Sequence, residues 1–180
     1  MRFDPSQAVK FDMGRGRIQL DGPVPRVLVP SDALLPLLDS AGPEAARDFG
    51  RRLGTELGRR AAERFGEGAS PESVVEHLGG EAALLGLGSL AFERWGRALI
   101  LVITGSPLGA SGDGLLAAIY EGALQRGLRR TVSIVPLMRE ADSARLLVAS
   151  EAAAGKVRDW LAAGEDWGAS LAKLHGGASS

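Results

Sequence analysis

Few residue types in this chain could carry chemistry. It has no cysteine and only two histidines, His77 and His175. Without cysteine there are no disulfides, thiol nucleophiles or thiolate metal sites. A Ser-His-Asp triad needs a histidine beside a serine on a sharp elbow, and no G-x-S-x-G occurs. Two histidines scattered among carboxylates show no metal-ligand spacing. Glu140 and Asp142 lie close enough in sequence to pair a general acid with a base, but in a stretch that reads as a solvated hairpin turn. No catalytic residue, metal or cofactor is expected.

The stretch "ITGSPLGASGDGLLAAIYEGALQRG" (103–127) could cradle a phosphate, because an apolar strand runs through a glycine-rich loop into a helix. A P-loop needs a lysine and a Ser/Thr after its last glycine, and "GSPLGASGDG" has neither. A dinucleotide fingerprint needs G-x-G-x-x-G, and "GASGDG" is spaced otherwise. Asp113 at the helix start would repel a phosphate. The loop reads as a strand-to-helix connection with Ser111 or Asp113 as N-cap.

The totals exclude further classes. At 180 residues, 45% apolar and 24% charged, the chain can bury a sizeable core. A net charge of −1 gives no global pull toward nucleic acid or anionic membrane. Six arginines in 47–64 alternate with Glu44, Asp48, Glu56 and Glu63, a mixed surface without aromatic interleaving. The opening "MRFDPSQAVKFD" has no apolar leader core, and "ALILVI" (98–103) is too short to span a bilayer. A cytoplasmic protein is expected.

The elements follow from periodicity. "AVKFDMGRGRIQLDG" (8–22) alternates around "GRG" as a hairpin. "PVPRVLVP" (23–30) is too proline-rich for a central strand and reads as a connector or edge. Ser31 caps a short helix over 31–42, bent or restarted at Pro36. The clearest helix is 43–66, with the stripe Phe49, Leu53, Leu57, Ala61, Phe65 and the pairs Asp48/Arg52 and Glu56/Arg60. Another, capped by Ser70, covers 70–86 and breaks near Gly79–Gly80. Strands over 85–95 and 97–105 join tightly at Gly96, and the second, apolar on both faces, belongs at the centre of a sheet. A helix over roughly 112–126, closed by Gly127, precedes strands 129–140 and 143–150, with Pro136 marking an edge or bulge. Two short helices follow, and 176–180 reads as a disordered tail. Short links between paired strands make the sheet antiparallel or mixed.

Gly50, Gly54 and Gly58 stand four apart on one helix, each costing about 0.8–1.0 kcal/mol relative to alanine. The groove they form admits very close approach of another element. Its occupant is another segment of the chain, a second copy in a helix-to-helix homodimer, or space for an apolar ligand. The tail stripe that includes Trp160 and Trp167 either folds back or recruits a partner.

"FGRRLGTELGRRAAERFG", "LLGLGSLAFERWGRALILVITGS" and "GDGLLAAIYEGALQRGLRRTVSIVPLMRE" together resemble the 4-vinyl reductase domain family, relatives of the TRAPP vesicle-tethering subunits. The resemblance covers roughly 43–150. It implies an α+β fold: a four-stranded antiparallel sheet packed by helices, here with an N-terminal β-hairpin and a C-terminal helical extension (151–175) in a single domain over 1–175. The family often carries cysteines before its long helix and around its last strand pair. This chain has Asp113 and Leu115, then "ADSARLLV", so no metal or thiol role transfers, and no reductase motif is present. The resemblance implies a non-catalytic sensor or adaptor. An apolar small molecule would lie between the glycine-patterned helix and the sheet, lined by Phe49, Leu53, Leu57, Phe92, Ile103 and Ile119. The alternative is a homodimeric interaction subunit of TRAPP-like type, with Gly50, Gly54, Gly58, Trp160 and Trp167 at its contact surfaces.

Overall fold

The run Ala98–Thr104 is the strand on which the rest is built, here called β5. In the computed structural model, which describes residues 9–20, 25–65 and 70–176, Ala98, Leu99, Ile100, Leu101 and Ile103 are all buried. Side chains alternate across a strand, so this pattern needs cover on both faces. β5 pairs antiparallel with β4 (Ser89–Trp95) and with β7 (Ser143–Ala149), and β7 pairs with β6 (Ser133–Glu140). The sheet order is β4-β5-β7-β6, so β5 is internal and every pairing is antiparallel, as expected. β4 and β5 join through Gly96, whose φ of +62° suits glycine in a tight turn. β6 is an edge, and its register shifts between Pro136 and Met138, where proline has no N–H to donate.

Helices cover both faces. On one side, Leu101, Ile103, Ile134 and Leu146 join a core with α2 (Pro43–Phe65), α3 (Pro71–Leu84) and α4 (Asp113–Leu128). On the other, Ala98, Ile100, Val135 and Leu147 pack with α5 (Glu151–Ala162) and α6 (Trp167–Gly176). A smaller sheet, β1-β2-β3 (Val9–Asp12, Arg17–Leu20, Pro25–Arg26), and helix α1 (Ser31–Ala41) precede α2. The β1–β2 hairpin agrees with the alternation in 8–22, and the short β3 falls within the proline-rich stretch as an edge.

The glycine groove of α2 is filled by α4 of the same chain. A Cβ on Gly54 would lie 1.8 Å from the carbonyl oxygen of Ile119, and one on Gly58 would lie 2.2 Å from that of Ala123. The arrangement is reciprocal, since a Cβ on Gly122 of α4 would lie 2.3 Å from the carbonyl oxygen of Arg51. The two backbones touch, and the α2–α4 contact is the most extensive between any two elements.

Several local expectations are corrected. α1 is continuous through Pro36, and its N-cap is Pro30, with Ser31 as first helical residue. α3 runs through Gly79–Gly80 to Leu84, though Ser70 caps it as expected by accepting from the Ser73 N–H. Gly79 serves approach to β4, with a notional Cβ only 3.3 Å from the Leu90 carbonyl oxygen. α4 continues past Gly127 to Leu128, and Arg129 ends it in the left-handed region at φ +53°. Arg60 pairs with Glu81 of α3 at 3.2 Å, and Glu56 meets Arg59 at 3.5 Å. The expected disordered tail falls, from residue 177 onward, outside the described residues.

Candidate functional site

The interior between α2 and the sheet is solid. α4 lies there, and Leu57, Ile103 and Ile119 are buried in one continuous core at 6%, 0% and 1% exposure. The slot expected between the glycine-patterned helix and the sheet is therefore occupied by the chain itself. Phe49 and Leu53, on the same stripe of α2, reach a different place. Phe92 sits on the edge strand β4, 38% exposed, and belongs to neither.

Phe49 and Leu53 form one wall of an apolar cleft of about 510 Å3. Phe11 and Ile18 of the small sheet and Val27–Val29 of the link to α1 face them, and Leu34, Leu84 and Leu85 complete the walls. Arg26 is the single charged residue in this lining. Its Nε is buried with no hydrogen-bond partner among the described residues. An N–H buried without an acceptor costs on the order of 1–3 kcal/mol. The arrangement can hold an apolar body beside one guanidinium.

The remaining polar groups are structural clasps. Asp113 neither caps α4 nor stands free: Gly112 is the N-cap, and the carboxylate takes the Arg139 guanidinium, Nε lying 3.1 Å from both oxygens. This pair ties the start of α4 to β6. Glu121, buried in mid-α4, accepts from Arg51 Nε at 2.8 Å and from the Ile134 backbone N–H at 3.1 Å, joining α2, α4 and β6. His77 Nε2 lies 3.9 Å from Glu81 Oε1 with Phe65 edge-on to its ring. The side chain of His175 is outside the described residues. Glu140 and Asp142 flank the exposed β6–β7 turn. Among the described residues, no group of His, Asp or Glu could hold a metal. Tyr120 is also buried, at 0% exposure, with no partner for its hydroxyl among the described residues.

Trp160 and Trp167 fold back onto the sheet with α5 and α6. Trp167 meets Trp95 edge-on at 4.8 Å between ring centres, and Lys173 Nζ lies 5.7 Å from the Trp160 ring.

No family model matches the chain. No curated protein matches it. Among solved structures, the phenol-responsive sensory domain of the transcription activator PoxR, determined with phenol, superposes with a TM-score of 0.60 over 93% of this chain and 92% of that one. The chain shares its fold with a sensory domain. Identity is 19%, so the likeness extends to the fold and not to particular residues.

Sequence reasoning named Phe49 and Leu53, though for a slot between α2 and the main sheet, and did not name Arg26 or the opposite wall. The signal was there: "RVLV" inside a connector is more apolar than a solvated link requires, and Val27 and Leu28, which line the cleft, are 84% and 73% exposed.

Proposed function

We propose that this chain is a non-catalytic, cytoplasmic ligand-binding sensor domain of the 4-vinyl reductase type. The ligand is a small apolar molecule with one oxygen acceptor, bound in the cleft between α2 and the small N-terminal sheet. The observation that carries the reading is an otherwise apolar cleft of about 510 Å3 with the single charged residue Arg26 in its lining. That volume is within the range of small-molecule sites. The fold shared with a domain solved with phenol supports the same class of guest. No helix among the described residues is long and apolar enough to cross a membrane.

Isothermal titration of the purified chain with phenol and with 1-naphthol tests it. One-to-one binding is expected, abolished by Leu53→Trp, which fills the cleft, and weakened roughly tenfold by Arg26→Met. Absence of binding by both probes, with no small molecule co-purifying in native mass spectrometry, overturns it.

The second reading is a homodimeric interaction subunit. It is favoured by the apolar residues exposed around the same cleft, Phe11 at 61%, Met13 at 84%, Val27 at 84% and Leu28 at 73%. In that case native mass spectrometry shows a dimer that Val27→Asp dissociates.

A further inference from the structure

The small sheet is thin. Its strands β1, β2 and β3 are 4, 4 and 2 residues long, and its main contacts are among themselves. Sheets of that size are marginal alone. β1 is an outer strand, and no described strand pairs with its free side. Side chains alternate across a strand, so Val9 and Phe11 share one face and Lys10 and Asp12 the other. Val9 and Phe11 line the Arg26 cleft, yet Phe11 stays exposed, as does Met13 just beyond it. We infer that β1 pairs antiparallel with β1 of a second copy, centred on Phe11, and joins two small sheets into one of six strands.

The charges choose both the occupant and the register. In a two-fold pairing each side chain keeps its face, and opposed residues share a face. The axis therefore passes beside one residue, never between two. Centred on Lys10, the pairing sets lysine against lysine. Centred on Asp12, it sets aspartate against aspartate. Centred on Val9, neither charge meets an opposite one. Centred on Phe11, it sets Lys10 of each copy against Asp12 of the other, Phe11 against Phe11, and Val9 against Met13.

A lysine on an edge strand ordinarily discourages pairing with other chains. Here an aspartate two residues along the same face answers it. Lys10 is exposed and makes no ion pair among the described residues. Asp12 accepts from the Arg15 backbone N–H at 3.1 Å and lies 3.8 Å from the Arg15 guanidinium, but it is half-exposed and keeps room for a second cation. The other outer strands are poorer templates. β3 is two residues with Pro25, and β6 shifts register at Pro136. In β4, Glu93 and Arg94 are answered within the chain by Arg145 and Glu72. A net charge of −1 sets little general repulsion between two copies. In the dimer, Phe11 and Met13 of the second copy continue the apolar face that walls the cleft. The inference rests on the homodimer of the second reading and adds its surface and register, and the ligand reading stands apart from it.

Charge reversal and cross-linking test it. Native mass spectrometry and light scattering of the full chain should show a dimer. Lys10→Glu and Asp12→Lys should each raise its dissociation constant by roughly tenfold or more, since one substitution alters two symmetric pairs. The two variants mixed should form a one-to-one heterodimer. The chain has no cysteine, so a single introduced thiol can bridge only between copies. Opposed residues have Cα atoms about 4.5–5.5 Å apart, within disulfide reach, so Phe11→Cys should cross-link on mild oxidation. Arg17→Cys, on β2, would stand roughly 14 Å from its copy and should not. All four positions are exposed, so the variants are expected to keep the parent circular dichroism spectrum. A monomeric parent overturns the inference together with the homodimer reading. A dimer that both charge reversals leave intact, or in which Arg17→Cys links as readily as Phe11→Cys, overturns the inference alone. Lys10 and Asp12 line no part of the cleft, so phenol titration of the same two variants reports on the ligand reading separately.

Discussion

Gly54 of α2 faces Ile119 of α4 so closely that a Cβ on the glycine would lie 1.8 Å from the isoleucine's carbonyl oxygen. The contact is backbone to backbone, and no rotamer change can relieve an added methyl group. Gly54→Ala is therefore expected to lose at least about 2 kcal/mol, despite about 1 kcal/mol gained in helix propensity. Gly155 in α5 has nothing within 4 Å of a notional Cβ. Gly155→Ala should gain about 0.5–1 kcal/mol. Urea unfolding of both variants checks the contrast, and a Gly54→Ala protein as stable as the parent would mean that the helices do not touch there.

Tyr120 is the only tyrosine in the chain, and burial pushes its phenol well above its usual value near 10. The folded state keeps the proton when the unfolded state has lost it. Stability from this group is complete below about pH 10 and falls above it, by up to about 1.4 kcal/mol per pH unit. Alkaline titration of tyrosinate absorbance should show no ionisation near pH 10 until the protein unfolds.

Removing that hydroxyl gives a second check. Tyr120→Phe keeps the packed ring and deletes an oxygen with no partner, so stability at neutral pH should change by less than about 1 kcal/mol, toward greater stability. A loss beyond that in thermal unfolding would show that the hydroxyl is bonded.

Glu121 links three elements through Arg51 and the Ile134 N–H. Glu121→Ala leaves a buried N–H without an acceptor and is expected to cost about 3 kcal/mol. Glu121→Gln keeps one acceptor oxygen and should cost about half as much. Equal losses in denaturant unfolding would show that charge alone matters.

Asp113 and Arg139 form a pair with side-chain exposures of 18% and 13%. Asp113→Asn and Arg139→Gln should each destabilise, and the double variant should lose about 1–2 kcal/mol less than the sum. Strict additivity in the double-mutant cycle would mean that the two side chains do not interact.

Much of the fold was legible because its signals are local. The apolar run of β5 announced a strand covered on both faces, and Pro136 announced an irregular edge strand. Gly79 and Gly127 misled because each looked like a helix end. Both sit inside helices, where lack of a side chain permits a close neighbour: the Leu90 carbonyl oxygen for Gly79, and the Val74 side chain, 2.8 Å from a notional Cβ, for Gly127. Packing outweighed propensity at both positions. The candidate site was half legible. Phe49 and Leu53 were visible on a helical stripe, whereas Arg26 and Val27–Val29 were hidden in a segment without periodicity.

The sequence by itself determined the element types, their order, and the antiparallel pairing of β4 with β5 and β6 with β7. Those depend on periods of two or 3.6 residues and on turns a few residues long. Only the tertiary structure decided what fills the glycine groove and what faces Phe49. Arg51 and Glu121 meet across 70 residues of sequence. Such meetings are set by which surfaces exclude water together and by which backbones can approach, and no window of neighbouring residues contains that information.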